Sequence, residues 1–380
     1  MSNESIAPKQ HQVAGAAAET TSTAPSAPAP EKLWHRVRDE VDQLRTYEPG
    51  DEALAAAGHA GHGELAPSWV RTYGRFIIVG GVVCGFAIPE VAHALRPFLP
   101  HLLVATLVLA LLQADLRQVP GYLKRPGMVT GLLFCLLVLS PLFVAVETKV
   151  VLVNYGLPTA IADGMILAAL SPPLLAAPAI AFLLGLDSML ALVIAIGAHL
   201  LAPVTISMLA TTLLGPELNI SVAELMSRLG LIIGLGFAIG MTLRQVRLPA
   251  KVARHSQATI DSLSVIALTL LATAMMDGVT AMAVRDPTFV LMAVLCGFLL
   301  NPLLQLLGAS LFVKSGFKTS LTVGLLAGYR NVGLLIAALT GATDPALLTF
   351  LAIVQVSAFV MPLLSTPVLH KVRSIGFDTA

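Results

Sequence analysis

The chain has 380 residues, 56% of them hydrophobic and only 12% charged, with a formal net charge of +1. Soluble domains carry about 25% charged residues, so the polar surface of a water-soluble fold this large is missing. The near-neutral balance offers no basic field for nucleic acid, and Cys84, Cys135 and Cys296 lie in apolar runs without disulfide or metal-like spacing. A mean hydropathy of +0.83 points instead to a polytopic membrane protein.

Residues 1–68 read as a cytoplasmic tail. Its first thirty residues, rich in Ala, Ser, Thr and Pro, are expected to be disordered. They hold neither an apolar h-region nor an arginine, which argues against a secretory signal or a transit peptide. Within 31–46, "EKLWHRVRDEVDQL" spaces Leu33, Val37, Val41 and Leu44 along one helical face with Trp34 beside it. That pattern suits an amphipathic helix on the membrane surface or against a partner, and equally a short solvated helix on a tether. In "HAGHGE", His59, His62 and Glu64 sit in a Gly/Ala linker that fixes no ligand geometry, so no metal site is expected.

A membrane span needs about 20 mainly apolar residues. Ten are read, at 75–95, 99–116, 126–146, 160–185, 187–214, 223–243, 259–281, 287–312, 317–341 and 345–370. Eleven Lys and Arg fall on one side of this arrangement (Arg117, Lys124 and Arg125 in the 2–3 loop, four from Arg244 to Arg254, Lys314, Lys318, Lys371 and Arg373) and four on the other (Arg96, Lys149, Arg228 and Arg285). The excess marks the cytoplasmic side and puts both termini there. A multi-pass plasma-membrane protein is expected, in a bacterium the inner membrane, with the lipid bilayer as a partner and a homodimer as a candidate assembly.

Five spans followed by five enter from opposite sides, as in an inverted repeat, which divides the chain into 69–214 and 215–373, with 374–380 as a C-terminal tail. Gly80 echoes Gly234, and Pro173 echoes Asn331, at similar offsets. Small residues at Gly230, Gly234, Gly236 and Gly240 on span 6 suit helix packing.

Span 4 reads "GMILAALSPPLLAAPAIAFLLG". Pro172 and Pro173 remove two backbone donors and clash with the preceding turn, so the helix either splits near mid-membrane or kinks. In span 9, "LLAGYRNVGLL" places Arg330 and Asn331 where an isolated charge costs roughly 3 kcal/mol on insertion scales. Asn331 with Gly333 can open a second half-helix, with Asn331 as its cap. Two half-helix N-termini and Arg330 would then form an anion site. The alternative is an arginine bound to an acid or to carbonyls, tying helices together.

At these breaks the sequence resembles the bile acid:sodium symporter family. "SPPLLAAPAIAFLLGLDSMLALVIAIGAHLLAP" aligns without gaps with the family segment that runs from a Pro-Gly break to a proline on helix 5. "GYRNVGLLIAAL" aligns with the Gly-Met-Gln-Asn-Ser-Gly-Leu crossover. The resemblance implies an all-α fold of ten transmembrane helices in two inverted five-helix repeats. Helices 4 and 9 would be broken and crossing, and a core of helices 3–5 and 8–10 would move against a panel of 1, 2, 6 and 7. It also implies that Asn331, Gly333 and the backbone around Leu174, Leu175, Ala176 and Pro178 contact substrate.

The departures are as informative. Where the family has sodium ligands this chain has Leu136 on helix 3, Ala177 and Pro178 after the helix 4 break, Ala191 and Ala195 on helix 5, and Leu326 and Arg330 on helix 9. Hard cations want oxygen ligands, and side-chain oxygen is gone from all seven positions. The expectation is a sodium-independent carrier of a carboxylate-like organic anion with an apolar portion, with Arg330 in place of one sodium. Sodium or proton coupling, a channel, or a sensor on the same fold stay as alternatives. No catalytic or cofactor motif is found, so neither an enzyme nor a resident cofactor or metal is expected.

His199 on span 5 is a candidate for proton coupling, and Asp277 a second; equally, His199 can bond a backbone carbonyl and Asp277, like Asp163, can be interfacial. Asn301, Gln305 and Gln355 are read as cavity-lining or interhelical partners.

Overall fold

The computed structural model describes residues 68–375, apart from 115, 117–118, 120–121, 123–125, 216–217 and 246–249. The helix expected at 31–46, the His59, His62 and Glu64 cluster and residues 376–380 lie outside the described residues. Every long element is helical. In chain order these are α1 (Ser68–Ala87), α2 (Pro89–Gln113), α3 (Pro126–Tyr155), α4a (Thr159–Leu170) and α4b (Ala177–Leu183), and α5 (Ser188–Leu214). The second half holds α6 (Val222–Gln245), α7 (Ala250–Met275, extended by Val279–Arg285), α8 (Pro287–Leu311), α9a (Phe317–Gly328) and α9b (Gly333–Leu339), and α10 (Pro345–Ile375). Six of these elements are long and apolar enough to cross a membrane, and Tyr73–Ala87, Thr159–Leu170 and Pro345–Met361 are shorter apolar helices.

The first hairpin differs from the sequence expectation. The chain turns at Ile88 (φ −127, ψ 77), while residues 96–98 are only a tightened turn inside α2. Pro89 is the cause, since a residue that precedes proline is driven out of the helical region.

Helices α1, α2, α6 and α7 form one layer. On α1, a Cβ at Gly81 would come within 2.7 Å of the Thr269 carbonyl, and one at Gly85 within 2.5 Å of that of Thr273. Glycine therefore permits this close backbone approach, and the rising numbers on both helices make α1 and α7 parallel. Gly236 and Gly240 likewise accept Leu107 and Leu111, setting α6 parallel to α2. Gly230 and Gly234 do not pack as expected: a side chain at either would meet open space, as at Gly80. Helix α2 runs against α7, tied by Arg96 to Asp277 at one end and by Gln113 to Asp261 and Ser264 at the other.

The second layer is built from α3, α4, α5, α8, α9 and α10. Gly164 on α4a lies directly under the Phe350 ring of α10, and Gly297 of α8 packs on Val354. Gly308, Gly324 and Gly328 let α8 and α9a approach closely, and the Ser320 hydroxyl donates to the Ala309 carbonyl at 2.6 Å. Asp187 caps α5 through the Leu190 amide and accepts from the Tyr122 hydroxyl, anchoring the 2–3 connection to this layer. The two layers meet at the helix breaks.

Candidate functional site

Helix α4 splits where the two prolines demand it. Ser171 is forced to extended geometry (φ −61, ψ 144) by Pro172, and helix resumes only at Ala177. Helix α9 leaves the helical region at Tyr329 (φ −85, ψ 87) and restarts at Gly333. The two unwound strands pair. The Leu174 amide donates to the Tyr329 carbonyl at 2.8 Å and the Asn331 amide to the Pro172 carbonyl at 2.8 Å, an isolated antiparallel bridge between Pro173 and Arg330. This pairing gives partners to backbone that lipid could not solvate.

Arg330 is 2% exposed, and among the described residues no acid side chain is its partner. Its Nε donates to the Ala327 carbonyl at 2.7 Å. Its Nη1 donates to the Ser171 carbonyl at 3.0 Å and to the Leu136 carbonyl at 3.1 Å, and Nη2 to the Ser140 hydroxyl at 3.2 Å. Ala327 and Ser171 lie where α9a and α4a end, so the guanidinium sits on the carbonyl-rich ends of both first half-helices. This is the carbonyl-bound arrangement weighed in the sequence, and it corrects the picture of a guanidinium opposite the half-helix N-termini.

The Leu136 carbonyl is free for a local reason. Residues 135–139 wind as a π-turn in which the Ser140 amide bonds Cys135 rather than Leu136. The next amide that a π-turn could offer belongs to Pro141, which has none. Sequence reading missed Ser140 and the Leu136 backbone; the Ser-Pro pair in mid-span was the signal. A cavity of about 10 Å³, room for roughly one water, lies beside Arg330 and is bordered by Asn301, Ser357 and Gly328.

The other expected residues are distributed around the crossover. Asn331 does not cap α9b, since Val332 occupies that position without a side-chain bond. Its Nδ2 instead reaches His199 Nε2 at 3.4 Å, while His199 Nδ1 bonds the Ala195 carbonyl at 2.8 Å. Fully buried, His199 thus uses one ring nitrogen as donor and the other as acceptor, the pattern of a neutral imidazole. Gly333 donates its amide to Gln355 Oε1 at 3.1 Å. Any side chain at Gly333 would press on Met275 and Leu103 of the facing layer.

Of the α4 amides, that of Leu174 is taken by Tyr329, whereas those of Leu175 and Ala176 have no acceptor among the described residues. Leu136, Ala177, Ala191, Ala195 and Leu326 are all fully buried. Asp277 lies away from the crossover: Arg96 at 2.6 Å and His93 at 3.2 Å hold it within the α1, α2, α6 and α7 layer. Asp163 pairs with Lys149 at 2.9 Å. Asn301 accepts from Gln305 on its own helix, so that pair is not interhelical.

Two layers of inverted helices meeting at a pair of broken, crossed spans define a multi-pass membrane protein of secondary-transporter architecture. Residues 100–284 match the family model described as Sodium Bile acid symporter family. No curated protein matches the chain. Over that stretch the chain is similar to the bile acid:sodium symporter family, whose members are transporters rather than enzymes. The matched stretch covers the α4 break and ends before α8; the α9 break is tied to it by the Pro173–Arg330 pairing.

Proposed function

We propose that this protein is a secondary carrier of an organic anion, carboxylate-like with an apolar portion, working by alternating access without sodium. The observation that carries the reading is the seat of Arg330: three carbonyls and a hydroxyl converge on its guanidinium at the ends of two half-helices. Such a ring of oxygens suits a hard cation, and here a fixed organic cation fills it. Arg330 then holds the two breaks together and supplies positive charge, while Asn331, Gly333 and the amides of Leu175 and Ala176 meet the substrate.

Proton coupling is the second reading, and the bond from Asn331 to His199 favours it, because protonating Nε2 would remove the acceptor that holds Asn331. The charge asymmetry of the loops supports cytoplasmic termini.

The test is a thermal-shift screen of purified protein against organic anions in sodium or in choline. Stabilisation by an anion in choline is the expected result. Stabilisation that appears only in sodium would overturn the built-in-cation reading.

A further inference from the structure

Gln355 on α10 is 2% exposed, and its two ends fare differently. Oε1 accepts from the Gly333 amide at 3.1 Å. Nε2 is buried and meets no acceptor among the described residues. The orientation of the carboxamide is fixed by this bond, since the opposite one would turn an NH₂ group toward an N–H. The nitrogen shares one carbon with the bonded oxygen, so two unused donors stay beside the α9 break. Buried donors without partners are rare and call for an explanation.

The surroundings supply one. Gly333 is where the two layers touch: the space of its missing Cβ is bounded by Met275 Cε at 3.0 Å and Leu103 Cδ2 at 3.3 Å, with Asn331 Oδ1 at 3.6 Å. In the alternating-access reading, movement of one layer against the other would withdraw Met275 and Leu103 and open this seam. A molecule entering it meets two N–H donors from Gln355, the Asn331 carboxamide and two apolar side chains, whereas four of the five N–H groups of Arg330 are spent on three carbonyls and the Ser140 hydroxyl.

We propose that the Gln355 carboxamide is a substrate-recognition group whose Nε2 donates to a carboxylate oxygen of the carried anion, with the anion's apolar portion lying against Leu103 and Met275. This rests on the organic-anion carrier reading and adds to it the group that takes the anion's head, a neutral amide on α10 rather than the guanidinium on α9. The ligand class is a monocarboxylate with a hydrocarbon body.

The experiment uses the purified full chain and measures binding of butanoate, hexanoate, octanoate and decanoate in choline, with the matching alcohols as neutral controls. Gln355→Glu keeps an acceptor for Gly333 and replaces the donors by oxygen. Gln355→Met removes both at similar size. The expected result is a carboxylate affinity that falls about tenfold or more in each variant, with alcohol binding unchanged and Gln355→Glu as thermostable as the parent. Carboxylate binding equal to the parent's in Gln355→Glu would overturn the proposal and leave the carrier reading standing, with the amide then satisfied by water. Failure of every carboxylate to bind the parent protein would overturn the organic-anion reading and this assignment with it.

Discussion

The carbonyl of Leu136 accepts a hydrogen bond from Arg330 Nη1 at 3.1 Å, joining α3 to the unwound part of α9 across 194 residues of sequence. On the reading proposed above, Leu136 stands where the resemblance implies a side-chain oxygen, and its backbone supplies an acceptor that Arg330 fills in place of an ion.

Arg330→Gln follows directly. Removing the guanidinium strips donors from three carbonyls and a hydroxyl, and should cost roughly 3–5 kcal/mol of stability in choline. The same change leaves Leu136, Ser171 and Ala327 carbonyls, the Ser140 hydroxyl and a new carboxamide oxygen around one space. Sodium should therefore recover part of the lost melting temperature in Arg330→Gln while leaving the parent protein unmoved. A variant equally unstable in both salts would show that these oxygens do not form a cation seat.

Pro141→Ala tests why Leu136 is available. An alanine amide at 141 can close the ladder that the π-turn leaves open, competing with Arg330 for a carbonyl. Replacing a proline inside a helix ordinarily stabilises it, by up to about 3 kcal/mol. The expected combination is unchanged or raised thermostability with reduced transport. Transport at the parent rate would mean that the freed carbonyl matters little.

Much of this fold was legible in the sequence, because lipid allows few solutions and prolines punctuate them. The α4 break follows from Pro172 and Pro173, and six of the expected spans follow from apolar length alone. The position of Arg330 was legible too, but the direction of its side chain was not. That depends on a π-turn in another helix, and no periodicity in α9 reports it. Asn331 misled for a similar reason: an asparagine before a half-helix is a good cap, but a histidine 132 positions away offered its ring. Gly230 and Gly234 show the limit of spacing rules, since the same small-residue pattern packs at Gly236 and Gly240 and faces open space six residues earlier.

Gly164 is required by a tertiary contact. A methyl group there would enter the Phe350 ring, and both residues are buried where α4a crosses α10. Overpacking of this kind costs about 1–3 kcal/mol. Gly164→Ala should lower the melting temperature, and Phe350→Leu in the same chain should restore some of the loss. A neutral Gly164→Ala would indicate that α10 can slide away from α4a.

Arg228 is a polar tie between the layers. From α6 it donates to the carbonyls of Ala338 at 2.8 Å and Thr340 at 3.3 Å, at the end of α9b, and pairs with Glu224. The last carbonyls of a helix have no partner within it, so a cation is well placed there. The proposed alternating access would have to break this tie. In Arg228→Ala, a reporter cysteine on α9b should react several-fold faster with an impermeant maleimide added from the side where α9b ends. Unchanged labelling would mean that the seam is held closed by apolar contact alone.

His199 and Asp277 separate by location. His199 touches the crossover through Asn331, whereas Asp277 is clamped by Arg96 and His93 in the facing layer. If a proton accompanies the substrate, its carrier has to be a group whose charge alters the crossover, and among these two only His199 qualifies. His199→Ala should abolish accumulation driven by a pH gradient and leave substrate exchange across equal pH intact. Asp277→Asn breaks an ion pair whose arginine is over a third exposed, so its effect on stability should stay within about 1 kcal/mol, with the response to a pH gradient preserved. Both variants are read in one assay, uptake into proteoliposomes with and without an imposed gradient. Loss of gradient-driven uptake in Asp277→Asn alone would move the coupling group out of the crossover and into the facing layer. Gradient-driven uptake that survives in both would place the coupling group at neither residue, with His199 serving only to hold Asn331; a parent protein that shows no gradient-driven uptake would be an exchanger or uniporter.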